Sequence, residues 1–393
     1  MAHGLRVHST AQIILPLTNL QRNAIRVRTV FMRSAVTIRT PSQAPARTRA
    51  YIPQLDGVRG LAILMVLAYH FGGELPKGTH KLIMIPFAAG WMGVDLFFVL
   101  SGFLITGILL NTRRSSNYFR SFYFRRFVRI FPVFYGSLVV LFIIIPHVDA
   151  RLASLLPPQR IRWCYWLYVN NWTPDAYLVG HFWSLAIEEQ FYIVWPLLVW
   201  TLSDKALFRF AIAGITVSLT LRCALTFTGA DREMIYRNTV CRMDALLMGA
   251  VCAMWHYNGY KTLRLGTWLL TPLLPAAIVL LLSKGQHASP WMTSAGFSFI
   301  ALAASGTLLY CLATPLRILS SLLLTRIGRW SYGAYVYHIP IYHFLNSKGF
   351  LGRGWISIIM LVFINIIFAA FSFEFFEKHV LSLKDRFKPR FTT

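Results

Sequence analysis

Ten apolar runs of about twenty residues follow one another along the chain, at roughly 57–74, 90–111, 127–147, 181–202, 207–227, 239–257, 266–283, 291–314, 327–346 and 355–376. A helix needs about 20 residues to cross the ~30 Å of bilayer hydrocarbon, and each run is close to that length. Backbone inside a bilayer must satisfy its own hydrogen bonds, which leaves helices or closed barrels. Strict barrel-type alternation is absent, so the sequence predicts an all-α, polytopic membrane bundle of about ten transmembrane helices. Composition agrees, since 56% of the 393 residues are hydrophobic and only 13% are charged, too apolar for a surface that faces water.

Charge sets the expected orientation. With both termini inside, the inside segments hold 27 Lys and Arg and the outside segments 11, with Arg222 within a span. That bias predicts an N-in, C-in bundle. The net charge of +25 is then accounted for by inside loops against anionic lipid, so membrane lipid is an expected partner and nucleic acid is not. Cys164, Cys223, Cys241, Cys252 and Cys311 show no CxxC pairing and read as ordinary core residues.

Residues 1–50 contain eight Arg and no Asp or Glu, and read as a basic, disordered leader without a signal-peptide core. Such a leader also fits a mitochondrial transit peptide, or an upstream start codon ahead of a start near Met32. Residues 51–380 form the expected membrane domain and 381–393 a basic cytoplasmic tail. No internal repeat is visible.

Within the first span, "RGLAILMVLAYH" carries Arg59 at one end and His70 at the other. Ionisable residues in a span are costly and call for an explanation. Eleven positions amount to about 1100°, three turns plus about 20°, so the two share a face, with an axial separation of about 16 Å. An arginine at the inner end therefore places the histidine near the midplane, about 15 Å deep. Imidazole there can take and return a proton, as a general base must. Asp56, three residues before Arg59, shares its face.

Two further stretches carry chemistry. In "SFYFRRFVRIFPVFY", Arg126 and Arg129 stand i, i+3 at the start of the third span; guanidinium forks match phosphate oxygens, so with Arg59 they suit a phosphorylated cytosolic ligand or serve as topology signals alone. In "HFWSLAIEEQFYIVWP", two adjacent glutamates enter an apolar span. Lying 100° apart, they cannot both face the same partner, and Glu188 shares its face with Ser184, Phe191, Tyr192 and Trp195. A histidine is a natural partner for Glu188, because a carboxylate orients the ring and stabilises its charged form.

Six stretches in order, "YIPQLDGVRGLAILMVLAYH", "WMGVDLFFVLSGFLITGIL", "RRFVRIFP", "HFWSLAIEEQFYIVWPLL", "RMDALLMG" and "WSYGAYVYHIPI", closely resemble the acyltransferase 3 family of bacterial membrane-bound acyltransferases, which includes the O-antigen acetylases. The resemblance covers about residues 51–380. It implies transfer of an acyl group, usually acetyl, from cytoplasmic acyl-CoA across the bacterial inner membrane to a hydroxyl of a surface polysaccharide, O-antigen (lipopolysaccharide) or lipid-linked glycan. Acyl-CoA, acetyl-CoA in the usual case, would be a donor substrate, with no bound cofactor.

The resemblance implies functional roles for Arg59, His70, Arg126 and Arg129, and matches Glu188 to the glutamate of the WSL motif. Ser101, Gly102 and Phe103 match its SGF element. Some members carry a fused hydrolase-like domain; this sequence departs from them near Thr393, and is expected to act through the membrane domain or with a separate partner. CoA phosphates at Arg126, Arg129 and Arg59 would aim the thioester at His70. There, oriented by Glu188, the ring would deprotonate the sugar hydroxyl or pass through an acyl-histidine.

Softer candidates remain. Ser101 is either an acylated nucleophile or a small residue for close packing. Arg242 and Asp244 either pair with each other or bind the acceptor. Tyr332, Tyr335 and His338, the last beside Pro340, are supports or a second titrating group. Trp163, Trp166, Trp172 and Trp183 suit an interfacial belt or sugar stacking. No metal-ligand spacing or phosphate loop is present. The rival reading is a proton-coupled transporter, which intramembrane Arg, His and Glu also describe.

Overall fold

In the computed structural model, residues 51–174, 176–258, 265–267 and 287–391 are described; the expected leader and most of the seventh apolar run lie outside them. The described residues are helical, with no strand. Among the described residues, nine long helices follow the apolar runs: α1 Pro53–Phe71, α2 Gly93–Thr112, α3 Tyr118–Val139, α4 Trp183–Thr201, α5 Asp204–Phe227, α6 Thr239–Tyr257, α7 Phe297–Ala313, α8 Leu322–Ser347 and α9 Trp355–Ser372.

Local chemistry sets several boundaries. Pro53 opens α1, where its missing N–H costs nothing. Ser203 accepts from Ala206 N at the start of α5, and Asn238 from Val240 N and Cys241 N at the start of α6. Single π-turns at Val140–Ile144, Met292–Gly296 and Phe373–Glu377 extend α3, precede α7 and extend α9.

Among the described residues, six stretches are long and apolar enough to cross a membrane: Pro53–Glu74, Ile83–Thr112, Tyr118–Val148, Asp204–Phe227, Met292–Ala313 and Trp355–Phe387. The expected count of ten is therefore not confirmed. The remaining long helices, α4, α6 and α8, carry Glu188 and Glu189, Arg242 and Asp244, and Arg326 and Arg329, which lower their hydropathy. These three helices are thus ones on which the sequence places much of its chemistry. The whole is a polytopic membrane helix bundle.

Glycines set the closest crossings. A Cβ at Gly328 of α8 would lie 1.8 Å from the Asp56 carbonyl oxygen of α1. At the α2–α6 crossing a Cβ on Gly102 would lie 1.9 Å from Leu246 O, and one on Gly249 2.0 Å from Val99 O. Small residues let helices approach where lipid supplies no hydrophobic drive. Buried charges tie the bundle further. Arg242 of α6 donates to Asp95 of α2 at 2.8 Å, and Arg222 of α5 to Asp244 of α6 at 2.7 Å. Asp244 also accepts from Ser298 at 2.7 Å.

Past α9 the chain folds back to the start of α3. The Phe387 ring lies 4.0 Å from that of Phe124, and Asn117 bonds both Lys388 O and Arg390 N.

Candidate functional site

An open cavity with about 850 Å³ of empty space, including solvent at its mouth, lies between α1, α2, α3, α4 and α8. Arg59 of α1 and Arg126 and Arg129 of α3 line it together. The i, i+3 spacing puts the α3 pair on one face, and the Arg126 guanidinium sits 5.3 Å over the Tyr192 ring. The sequence thus anticipates the convergence of all three arginines. Arg59 Nη1 is 3.6 Å from Asp56 Oδ1, the expected same-face pair.

The opposite wall comes from α4, where Ser184, Glu188 and Tyr192 recur every four residues and face the cavity. Ser101 of α2 donates a 2.5 Å hydrogen bond to Glu188 Oε1 and accepts one from the Tyr192 hydroxyl at 3.1 Å. Glu189 lines the same cavity. The two glutamates lie about 100° apart on the helix, yet the space is wide enough to border both. Gly102 beside Ser101 serves the close packing, and Ser101 faces the cavity.

His70 is not among the residues that line the cavity. Its ring lies 4.7 Å from that of His338, which lies 4.8 Å from that of His181. This row reaches the cavity through Tyr335, whose hydroxyl donates to His181 O at 2.8 Å and sits 2.6 Å from Ser184 Oγ. One nitrogen of each ring faces a backbone carbonyl: His70 Nδ1 at 2.9 Å from Val66 O, His338 Nδ1 at 2.6 Å from Tyr335 O, and His181 Nε2 at 3.2 Å from Val336 O. A nitrogen bonded to a carbonyl carries the hydrogen, which leaves the lone pair on the other nitrogen. At His70 the lone pair is therefore on Nε2. The free nitrogens of His338 and His181 are buried without a hydrogen-bond partner among the described residues.

Two expected partnerships are corrected. Glu188 does not hold the His70 ring: Ser101 engages its carboxylate and the Val66 carbonyl engages the ring N–H, so neither group needs the other. Arg242 and Asp244 do not pair with each other either. Two positions apart on a helix is about 200°, so they point to opposite sides, toward Asp95 and Arg222. Among the other candidates, Tyr332 also lines the cavity and donates to Ile130 O. Trp183 is buried against Tyr236, whereas Trp163 and Trp172 are exposed. Trp166 stacks on Tyr135 at 5.7 Å.

Sequence reasoning did not single out His181, whose only signal is its place just before the WSL stretch. A second group it missed lies beside Tyr69, the neighbour of His70. The Tyr69 hydroxyl is 3.2 Å from His287 Nδ1, and His287 Nε2 is 2.8 Å from Glu233 Oε1. That hydrogen bond holds the Glu233 carboxyl below the usual carboxylate range.

A family model described as an acyltransferase domain matches residues 52–374. The chain is 30% identical over 333 residues to the peptidoglycan O-acetyltransferase OatA of Listeria monocytogenes, covering 75% of this chain and 50% of that protein. A Bacillus subtilis protein provisionally named peptidoglycan O-acetyltransferase YrhL is 30% identical over 362 residues, covering 84% and 55%. A provisionally named O-acetyltransferase of Staphylococcus aureus is 28% identical over 357 residues, covering 83% and 57%. The chain thus spans about half the length of the curated relatives it matches. No solved structure matches it.

Proposed function

The chain belongs to this acyltransferase family, and from that premise we propose that it moves an acyl group, acetyl in the simplest case, from cytoplasmic acyl-CoA to a hydroxyl of a cell-surface carbohydrate. The observation that carries the proposal is the convergence of Arg59, Arg126 and Arg129 on one cavity that is also walled by Ser101 and Glu188. Phosphates of the donor are held by the guanidiniums, and the pantetheine arm runs inward past Ser101. The relatives' names make peptidoglycan the first acceptor to test. The family match favours this reaction over a proton-coupled transporter.

His70 Nε2 is the base in this scheme. The acceptor oxygen forms a bond to the thioester carbon, the carbon–sulfur bond breaks, and CoA leaves as the thiolate. The hydroxyl proton goes to His70 Nε2, whose opposite nitrogen is fixed by Val66 O. Glu188 and Ser101 act within the cavity, on the donor side, and not through the His70 ring. The enzyme works in the bacterial inner membrane with Arg59, Arg126 and Arg129 toward the cytoplasm.

Mass spectrometry of surface glycans from cells expressing wild type, His70→Ala and empty vector at matched protein levels tests the reading. An acyl-sized increment in wild type alone supports it. An increment that survives His70→Ala refutes the role of the base.

A further inference from the structure

At the rim of the arginine cavity one carboxylate serves three partners. Asp56 Oδ1 lies 3.6 Å from Arg59 Nη1, while Oδ2 accepts a 2.7 Å hydrogen bond from the Tyr51 hydroxyl and lies 3.9 Å from Arg329 Nε. Arg329 Nη2 also donates to the Tyr51 oxygen at 3.2 Å, and its guanidinium sits 5.7 Å over the Tyr51 ring. The α1–α8 crossing creates this arrangement. Gly328 rests against the Asp56 carbonyl, which brings the next residue, Arg329, alongside the Asp56 side chain.

The cluster runs from solvent to the cavity wall. The Arg329 side chain is 52% exposed and that of Asp56 16%, and Arg59 lines the cavity itself. Arg59 and Arg329 carry twice the charge that Asp56 offsets. Two guanidiniums and a phenol gathered about one anion are the donor set that phosphate oxygens require. A weak, partly exposed ion pair is readily exchanged for a better anion.

We propose that Asp56 is the resident anion of a phosphate seat at the mouth of the cavity, and that Arg329 with Arg59 binds a phosphate of the CoA donor once Asp56 yields its place. This rests on the cavity being the donor site. Arg329 then contributes to donor affinity, and Asp56 works against it while keeping the seat neutralised between turnovers. Anionic lipid headgroups offer the same phosphate chemistry, so the test must separate the two sources.

Calorimetric titration of CoA into the full chain in phosphatidylcholine nanodiscs gives the measurement, for wild type, Asp56→Asn, Arg329→Gln, the double variant and Arg129→Gln. Asp56→Asn is expected to tighten CoA binding about threefold or more, and Arg329→Gln to weaken it by a similar factor. Arg329→Gln is also expected to cost more in the Asp56→Asn background than in wild type, because the aspartate no longer occupies the arginine. Unchanged or weaker binding by monodisperse Asp56→Asn, with Arg129→Gln still weakening it, overturns the proposal and leaves the donor reading standing.

Absence of CoA binding by wild type overturns the donor reading and this inference with it. Unchanged CoA affinity accompanied by more phosphatidylglycerol co-purifying with Asp56→Asn assigns the seat to a lipid and overturns the proposal. Arg329 is half exposed, so Arg329→Gln decides the matter should Asp56→Asn not fold: unchanged affinity in that variant is a negative result.

Discussion

Ser101 Oγ and Glu188 Oε1 are 2.5 Å apart although 87 residues separate them in the chain. The bond joins α2 to α4 inside the arginine cavity, with the Tyr192 hydroxyl closing it from the other side. Glu188 is thereby committed to the arginine cavity. That separates it from His70, which is not among the residues lining that cavity.

Substitution at this pair is expected to separate charge from geometry. Glu188→Gln keeps an acceptor for Ser101 and removes the negative charge, and acyl transfer is expected to fall about 100-fold with the fold retained. Ser101→Ala leaves the carboxylate without its donor and is expected to cost roughly tenfold in kcat. Complete loss in Ser101→Ala, with trapping of an acyl group on Ser101 in wild type, would instead assign the serine as nucleophile. Turnover of acetyl-CoA by purified protein, read as free thiol, measures all of these.

His338 is expected to matter to activity more than to folding. His338→Gln can keep a donor toward Tyr335 O while removing the ring 4.7 Å from His70. Activity is expected to drop at least tenfold with less than about 1.5 kcal/mol of lost stability. A variant of full activity, measured at equal membrane abundance, would show that the row does not contribute to proton handling.

The buried pair Arg242–Asp95 behaves oppositely. Arg242→Met leaves a fully buried carboxylate unpaired, and breaking such a pair costs about 3–5 kcal/mol. The double variant Arg242→Met with Asp95→Leu is expected to recover most of that loss. Thermal unfolding in detergent is the readout, and a single variant as stable as wild type would contradict the pairing.

The glycine crossing gives a sharp contrast. Gly328→Ala would put a methyl group 1.8 Å from the Asp56 carbonyl, whereas Gly136→Ala in α3 meets nothing within 4 Å. The first is expected to abolish a monodisperse species in fluorescence-detected size-exclusion. The second is expected to be neutral or to stabilise α3 by up to about 1 kcal/mol.

Acid is expected to loosen the contact between Glu233 and His287. The Glu233 carboxyl is held down in the folded chain by its hydrogen bond to His287, so its contribution is present above the ordinary carboxylate pKa of about 4.3. That contribution is lost as pH falls through the lower folded value. Hydrogen exchange of Arg232–Arg237 between pH 6 and 3 checks this; Glu233→Gln should remove most of the acid response.

Much of this arrangement is legible in the sequence because helix periodicity is local. The i, i+3 arginines at 126 and 129 and the i, i+4 series Ser184, Glu188, Tyr192 follow from 3.6 residues per turn alone, and both faces line the cavity. Partnerships between helices are another matter. His70, His181 and His338 sit on α1, just before α4 and on α8, and nothing in their spacing says that these elements meet there. The sequence offered Glu188 a histidine, and the crossing of α2 against α4 gave it the serine. Arg242 and Asp244 looked like a pair in one dimension, yet a helix points them apart. The span count is unconfirmed at α4, α6 and α8, where charges lower the hydropathy, and at the seventh run, most of which lies outside the described residues.

The carbonyl contacts of the histidine row limit what it can carry. His70 and His338 both spend Nδ1–H on backbone oxygens, and His181 spends Nε2–H. A proton that lands on a free nitrogen cannot leave from the far side of the same ring without breaking that anchor. Under the proposed reaction the row would therefore act as a reservoir and not a wire. With rings 4.7 and 4.8 Å apart, a second positive charge is repelled by the first. Under the proposed reaction the row would hold one proton, to be handed back before the next acceptor hydroxyl could give up its own.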